Sequence, residues 1–543
     1  MRQRIWARAV DPLIALALGV AYVALLLSTV RDLGYARDEG FYFQAAQSYD
    51  GWFEVLFRHP SQAFERSVVD RYWNANHEHP ALMKSLFALS HRFLYRDLHW
   101  FSEQGTAYRF PGMVVSALGL AVVYLWGRHM LGRVAGLVAA LLFAFLPQPF
   151  YHAHLAAFDM PVAAVWLVTT YAYWRSLVRG GVAWPIATGV LYGLLLDTKH
   201  NSWLLPGALV GHLVLIRGTA LLSEIRRGRV PVPTALVSML VIGPLVLYAL
   251  WPWLWFDTGQ RLAGWVAFHM GHEYYNMEFL GRTYWKPPMP LGYAWVLTLA
   301  SVPAITLALF VLGLGNTALL RIRGQLEASR SSAELLWLLC LLLSYAPWLS
   351  PSTPIFGGTK HWMTAYPFLC LFAGRGFAVV VEHARRALSS PLLQRVGTVA
   401  LVASVITGPA VMTLHAHPWG VAAYTPLVGG APGAASLGLN RTFWGYTTGS
   451  VRDFLNRRAP RGATVYVHDT ALQSWEMLRE DGRVRRDLRG SLAIHDSSVA
   501  LYHHEPHMQR VEYQIWVDYG TIAPAEIGTY DGVPVVWVYL RPR

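Results

Sequence analysis

Five short clusters in this chain carry side chains able to take a proton or balance a negative charge. The first is Asp38-Glu39, followed by an amphipathic stretch beginning Gly-Phe-Tyr-Phe-Gln44. An Asp before an apolar-periodic run suits a helix N-cap, and a Glu in the first turn suits the helix dipole. A carboxylate held at a lipid–water boundary is equally placed to take the proton of an acceptor hydroxyl. The second cluster is His77-Glu78-His79-Pro80 with Lys84. Lys84 can snorkel to lipid headgroups or meet a phosphate as a compact point charge. The His-Glu-His triplet resembles a metal cluster, but neighbours on one strand face opposite ways and no third ligand can be named, so no metal is expected. The remaining clusters are Phe158-Asp159-Met160-Pro161, Asp197-Thr198-Lys199-His200-Asn201 and Gly357-Gly358-Thr359-Lys360-His361.

Each cluster lies next to an apolar run. The 543 residues are 54% hydrophobic and 14% charged, against roughly 25% charged in soluble domains. Windows of about 20 apolar residues, enough to cross a hydrocarbon core of about 30 Å, recur through the first 415 positions. Eleven spans are predicted, near 12–30, 107–126, 134–151, 160–177, 184–197, 201–216, 232–252, 291–314, 333–349, 362–381 and 396–414. The run Leu13–Val30 is long enough to span and no small-residue cleavage site follows it, so it reads as a retained first helix. With the N-terminus in the cytoplasm, cytoplasmic segments carry seventeen arginines, Arg229 among them. The short external loops carry five basic residues: Lys199, Arg261, Arg282, Lys286 and Lys360. That asymmetry follows the positive-inside rule and puts every cluster outside. It also accounts for the net charge of +13 without a nucleic-acid-binding patch. Lys84, Lys199, Lys286 and Lys360 are the only lysines among 45 basic residues, and all four fall on the external side. Cys340 and Cys370 lie inside spans, where packing is the default role and no disulfide framework arises.

The C-terminal part has a different texture. A Gly/Pro-rich stretch at 415–438 is expected to link the membrane domain, 1–414, to a small extracytoplasmic α/β domain, 439–543. A helix is expected over 448–458, with strands at Ala463–Val467, Val511–Val517 and Val533–Leu540.

The order of these motifs resembles that of the GT-C-type glycosyltransferases of the protein O-mannosyltransferase and lipid A aminoarabinose transferase group. The resemblance rests on Asp38-Glu39, His79-Pro80 with Lys84, Tyr108-Arg109-Phe110-Pro111, Asp159-Met160-Pro161 and Thr198-Lys199, and covers about residues 10–380. It implies an all-α polytopic membrane domain of about 11 helices. The implied activity is inverting transfer of a hexose or pentose from a polyprenyl-phosphate carrier, on the external face of a bacterial inner membrane. The acceptor would be a lipid, glycan or protein, and no cofactor beyond the lipid-linked donor is required. Carried over by position, Asp38 would be the catalytic carboxylate with Glu39 beside it. Lys84 and Arg109 would face the carrier phosphate, and Lys199 and Lys360 join them by their position and rarity. His79, Asp159, His200 and His361 are candidates for substrate contacts. The chain has His-Pro-Ala where protein mannosyltransferases commonly have His-Pro-Pro, and it lacks their β-trefoil insertion.

A transporter or flippase for a lipid-linked saccharide is the rival. Transporters put ionisable groups near the bilayer midplane in repeated halves, whereas here the span centres are nearly free of charge and the halves differ. A membrane sensor with an external ligand domain would not need acid/base clusters at so many span ends.

Overall fold

The computed structural model describes residues 2–228 and 232–542. Met1, Arg229 and Arg543, which the topology and domain bounds above include, lie outside the described residues. Helices stand at all the expected spans, but they differ in kind. Among the described residues seven are long and apolar enough to cross a membrane: Val10–Asp32, Gln104–Leu131, His200–Arg226, Ala304–Ile322, Arg330–Leu349, Met363–Ala387 and Pro391–Ala416. Helices Arg133–Ala144 and Pro147–Ala153 would make an eighth, bent by 71°. Leu146 supplies the bend, because the residue before a proline is pushed out of the helical region and Leu146 is extended (ψ 120). Val302 does the same ahead of Pro303 (ψ 129), so the expected span 291–314 is two helices, Tyr293–Ser301 and Ala304–Ile322. Ala183–Leu196 and Thr234–Leu250 are apolar but shorter. The bundle packs backbone to backbone where small residues allow it. A Cβ on Gly313 would stand 1.9 Å from the Phe372 carbonyl, and one on Gly376 2.0 Å from that of Leu309. Such small-residue contacts stand in for a hydrophobic drive that lipid cannot supply.

Between the first two long spans, helix Arg37–Arg58 lies across helix Leu82–Ser90. Helix Leu82–Ser90 and the turn that follows it bury charged and apolar groups together. Lys84, His91 and Arg92 are buried while Leu86 and Leu89 are only part-buried and Phe93 is exposed. Met83, Phe87 and Ala88 are buried beside them, so the inner side of this segment is mixed rather than polar.

Strands β1 (Met277–Phe279) and β2 (Arg282–Tyr284) form a small hairpin. The C-terminal sheet holds β3 (Thr464–Val467), β4 (Arg489–Ser491), β5 (Val499–His503), β6 (Glu526–Tyr530) and β7 (Val533–Leu540), in the order β4-β3-β5-β7-β6. β3 runs parallel to β4 and β5, and β7 antiparallel to β5 and β6. The predicted strand Val511–Val517 is instead part of helix Gln509–Tyr519. Its sequence alternates loosely, but Val511, Ile515 and Tyr519 recur every four residues and pack one helix face against Ala500, Tyr502 and Tyr539. The stretch 415–438 is not an extended tether: it forms the helical turns Gly420–Ala422 and Pro426–Val428 and the short helix Gly430–Ser436. The Thr425 amide donates to the Ala300 carbonyl at 2.7 Å.

The core of the C-terminal sheet is continuous with that of the first loop, where Tyr35, Phe43 and Tyr108 share one buried cluster with Val465, Trp475 and Leu501. Asp481 accepts hydrogen bonds from the amides of Gln104 (2.7 Å) and Gly105 (3.1 Å), at the start of helix Gln104–Leu131, and from the Tyr35 hydroxyl. Arg483 donates to the Leu33 carbonyl (2.7 Å) and to Glu103 (2.7 Å).

Candidate active site

Helix Arg37–Arg58 begins under two restraints. The Arg37 amide donates to the Trp444 carbonyl (2.7 Å), and the Ala36 amide donates to Glu39 Oε2 (2.9 Å). One residue is about 100° of helical turn, so Asp38 and Glu39 face different surroundings. Glu39 is fully buried. Its carboxylate takes Nε and an Nη of Arg109 at 2.7 Å each and the Ala156 amide at 2.9 Å. Arg109, also fully buried, donates further to the carbonyls of Val30 (3.3 Å) and Gly34 (2.6 Å) and lies 4.5 Å from the Tyr35 ring centre. Four of its five N–H donors are engaged and no part of it is exposed, so in this structure Arg109 serves Glu39 and the backbone rather than facing an open site.

Lys84 is corrected in the same way. Its Nζ donates to the carbonyls of Asn76 (2.5 Å) and His79 (2.8 Å) with no exposed surface. Burial pushes its ammonium down to about 7. It clamps the loop 76–79 to its own helix. Lys84→Met should therefore leave buried carbonyls without a donor and cost about 1–3 kcal/mol of stability, read as a lower unfolding midpoint in detergent. Full stability combined with lost carrier binding would return Lys84 to a phosphate role.

The other predicted groups do converge. Asp38 is about a quarter exposed; its Oδ2 lies 3.5 Å from Lys360 Nζ and its Oδ1 3.7 Å from Arg37 Nε. Asp159, at the start of helix Asp159–Val178, pairs with Lys199 at 2.6 Å and lies 3.5 Å from His152 Nδ1. Lys360 sits on the turn Gly358–His361, and its Nζ is 4.1 Å from the Trp444 ring centre and 5.5 Å from that of Phe356. Gly357 has a left-handed backbone (φ 73), and a Cβ there would stand 2.3 Å from Lys360 Cε, so only glycine lets the lysine fold back. Burial lowers the Lys360 ammonium, while Asp38 and Asp159 oppose that shift. The result is an alternation of charge, Asp38 and Asp159 interleaved with Arg37, Lys360 and Lys199, at one end of the bundle.

The histidines form the margin of this cluster. The His79 ring packs 5.8 Å from Tyr42 and 5.5 Å from Phe158, and burial holds it neutral. His200 stacks on His269 at 3.9 Å. His361 is bonded through Nε2 to the Phe356 carbonyl, and burial depresses its pKa too. His77 turns away to stack on Trp253 at 4.8 Å. Among the described residues no group of three or more His, Cys, Asp or Glu could hold a metal ion. Asp197 accepts from the Ala81 amide (2.9 Å) and is structural. An open cleft of about 500 Å³ lies beside the cluster rather than at it, lined by His77, Glu78, Trp253, Arg261, Trp265 and Phe268 among others.

Sequence reasoning passed over Arg37, His152 and Trp444. Arg37 stands next to Asp38 and could have been named with it. No sequence signal ties Trp444 to Lys360 or His152 to Asp159.

A family profile described as dolichyl-phosphate-mannose-protein mannosyltransferase matches residues 98–253. ArnT from Cupriavidus metallidurans bound to undecaprenyl phosphate superposes with a TM-score of 0.50 at 14% identity, over 96% of this chain and 97% of that one. The apo state of the same protein gives 0.50 at 15% identity, covering 99% and 98%. The fold is GT-C. The apo oligosaccharyltransferase of Archaeoglobus fulgidus also shares this GT-C architecture, with a TM-score of 0.50 at 11% identity over 94% of this chain and 72% of that one. Among curated proteins none matches the chain in sequence. The GT-C likeness to ArnT extends over the C-terminal sheet as well as the bundle, because nearly the whole of both chains is covered.

Proposed function

We propose that the chain is an inverting glycosyltransferase taking its sugar from a polyprenyl phosphate on the external face of a bacterial-type inner membrane. The observation that carries this reading is Asp38 at 3.5 Å from Lys360: an accessible carboxylate beside an ammonium that has aromatic rings, rather than carbonyls, for its other neighbours. Asp38 takes the proton of the acceptor hydroxyl as that oxygen bonds to the anomeric carbon. The bond from that carbon to the phosphate oxygen breaks on the opposite face, and polyprenyl phosphate departs with the electron pair. Lys360, Lys199 and Arg37 offset the charge that builds on it, in a site where fixed cations count for more than in water. ArnT, of the same fold, has been crystallised with undecaprenyl phosphate, which supports a carrier of that class here. The excess of arginine on the opposite ends of the spans supports an external site.

The test is turnover by purified protein in liposomes, offered hexosyl and pentosyl polyprenyl phosphates together with membrane lipid, glycan and protein fractions. The expected result is release of polyprenyl phosphate from one donor and a product of inverted anomeric configuration. A retained anomer, or transbilayer movement of intact donor without release, would replace this reading by another mechanism or by a flippase. A reporter active only outside the cytoplasm should be active at the C-terminus and silent after Gly228; the reverse pair would put the site inside the cell.

A further inference from the structure

Two non-glycine residues with left-handed backbones, Trp444 (φ 73) and Asp469 (φ 54), meet at the start of helix Arg37–Arg58. Strain of this kind costs about 1–3 kcal/mol per residue and persists where the surroundings over-determine it. Here they do. Gly445 has no room for a Cβ, which would stand 2.1 Å from Thr470 Oγ1, so the loops of Trp444 and Asp469 are pressed together. Beyond β3, the His503 ring bonds through Nδ1 to the His468 carbonyl at 2.6 Å and fixes the base of the second loop. Asp469 thus projects from the carboxyl end of a parallel strand, the edge where α/β sheets place their working residues.

Its carboxylate is almost wholly buried, with Oδ1 3.1 Å from an Nη of Arg37. Oδ2 is buried without a donor unless the carboxyl of Glu505 supplies one. Burial and the charge of Asp469 push Glu505 well above the carboxylate range, so that it keeps a proton. Arg37 therefore has Asp469 at 3.1 Å and Asp38 at 3.7 Å. It is shared between two carboxylates and lies nearer the one from the C-terminal domain.

We propose that Asp469 is a positioning residue of the active centre: by holding Arg37, it keeps that guanidinium from closing fully on Asp38 and leaves Asp38 free to act as a base. The role of Asp38 as base rests on the proposed function; the sharing of Arg37 does not. The groups within electrostatic reach of Asp38 are Arg37 and Tyr42 from its own helix, Lys360 from the turn 358–361 and Tyr151 from the bundle, with Asp159 acting through Lys360 and Tyr42. Lys199 and His152 act through Asp159, and Asp469 and Glu505 through Arg37.

The experiment follows the carboxyl stretch of Asp38 by infrared spectroscopy through a pH titration of the full-length protein, the band being assigned by its loss in Asp38→Asn. In Asp469→Asn the guanidinium turns wholly to Asp38, and the midpoint should move about one unit to lower pH, the low end for a carboxylate gaining a close cation. In Arg37→Gln, a change at a half-exposed side chain, the midpoint should move up, and adding Asp469→Asn to it should do nothing further. Asp469→Glu should keep the wild-type midpoint. An unmoved midpoint in Arg37→Gln, or a shift from Asp469→Asn that survives in the Arg37→Gln background, would overturn the proposal even if Asp469→Asn alone failed to fold. Turnover is measured on the same samples. A wild-type protein that uses no polyprenyl-phosphate sugar would sink the proposed function and leave the infrared comparison standing.

Discussion

Asp38→Asn is expected to lower sugar transfer by at least about a hundredfold, the scale of losing a general base, with the protein still inserted and folded. Asparagine keeps the shape and can accept a hydrogen bond from Lys360, but it cannot take a proton. The structural cost is small. Asp38 is about a quarter exposed, its interactions with the start of helix Arg37–Arg58 and with the half-exposed Arg37 are worth about 0.3–1 kcal/mol each, and the amide oxygen keeps an acceptor beside the buried Lys360. The measurement is the single-turnover rate with bound donor, beside an unfolding curve of the same preparation. Wild-type rates would move the base to Asp159, the other carboxylate of the cluster. Unchanged donor binding with a slow chemical step is the signature that separates loss of a base from loss of a binding contact.

Arg109→Met should act through stability instead, costing about 3–5 kcal/mol, the usual penalty for breaking a buried ion pair by removing one partner. Glu39 would be left enclosed, without its cation and short of two donors, and the carbonyls of Val30 and Gly34 would lose theirs. The diagnostic comparison is Arg109→Met with Glu39→Gln in one chain. Removing both charges should recover part of the loss, because much of the penalty is the stranded carboxylate. Unfolding midpoints in detergent give the answer. A stable Arg109→Met protein that had lost only its affinity for polyprenyl phosphate would overturn the structural assignment.

These two residues show how far the sequence could be read. Apolar runs announce helices because a membrane-spanning backbone has few alternatives, and the clusters at the ends of those runs were legible for the same reason. Lys199, Lys360, Asp38 and Asp159 do come together. Exposure was not legible. Asp38 and Glu39 differ by one step of a helix, yet one faces the cluster and the other a buried arginine. The resemblance carried Lys84 and Arg109 over by residue type, and residue type does not record whether the donors are already spent. Val511–Val517 misled because a short alternating run fits both periods, and only packing against Ala500, Tyr502 and Tyr539 selects the helix. Contacts such as Arg37 with Asp469 join positions far apart in the chain, and no local pattern marks them.

The grip of Asp481 on the start of helix Gln104–Leu131 also bears on biogenesis. The carboxylate that satisfies the amides of Gln104 and Gly105 leaves the ribosome after nearly every membrane segment has been made. At about 5–20 residues per second, that end of the helix waits on the order of tens of seconds for its cap. The early segments can enter the bilayer in order, but the region around Asp38 is completed only when the last part of the chain has been made and has docked. Truncated or stalled chains should therefore insert without maturing, and a quality-control protease should find the uncapped helix end and the open loop before Asp38 can meet a substrate.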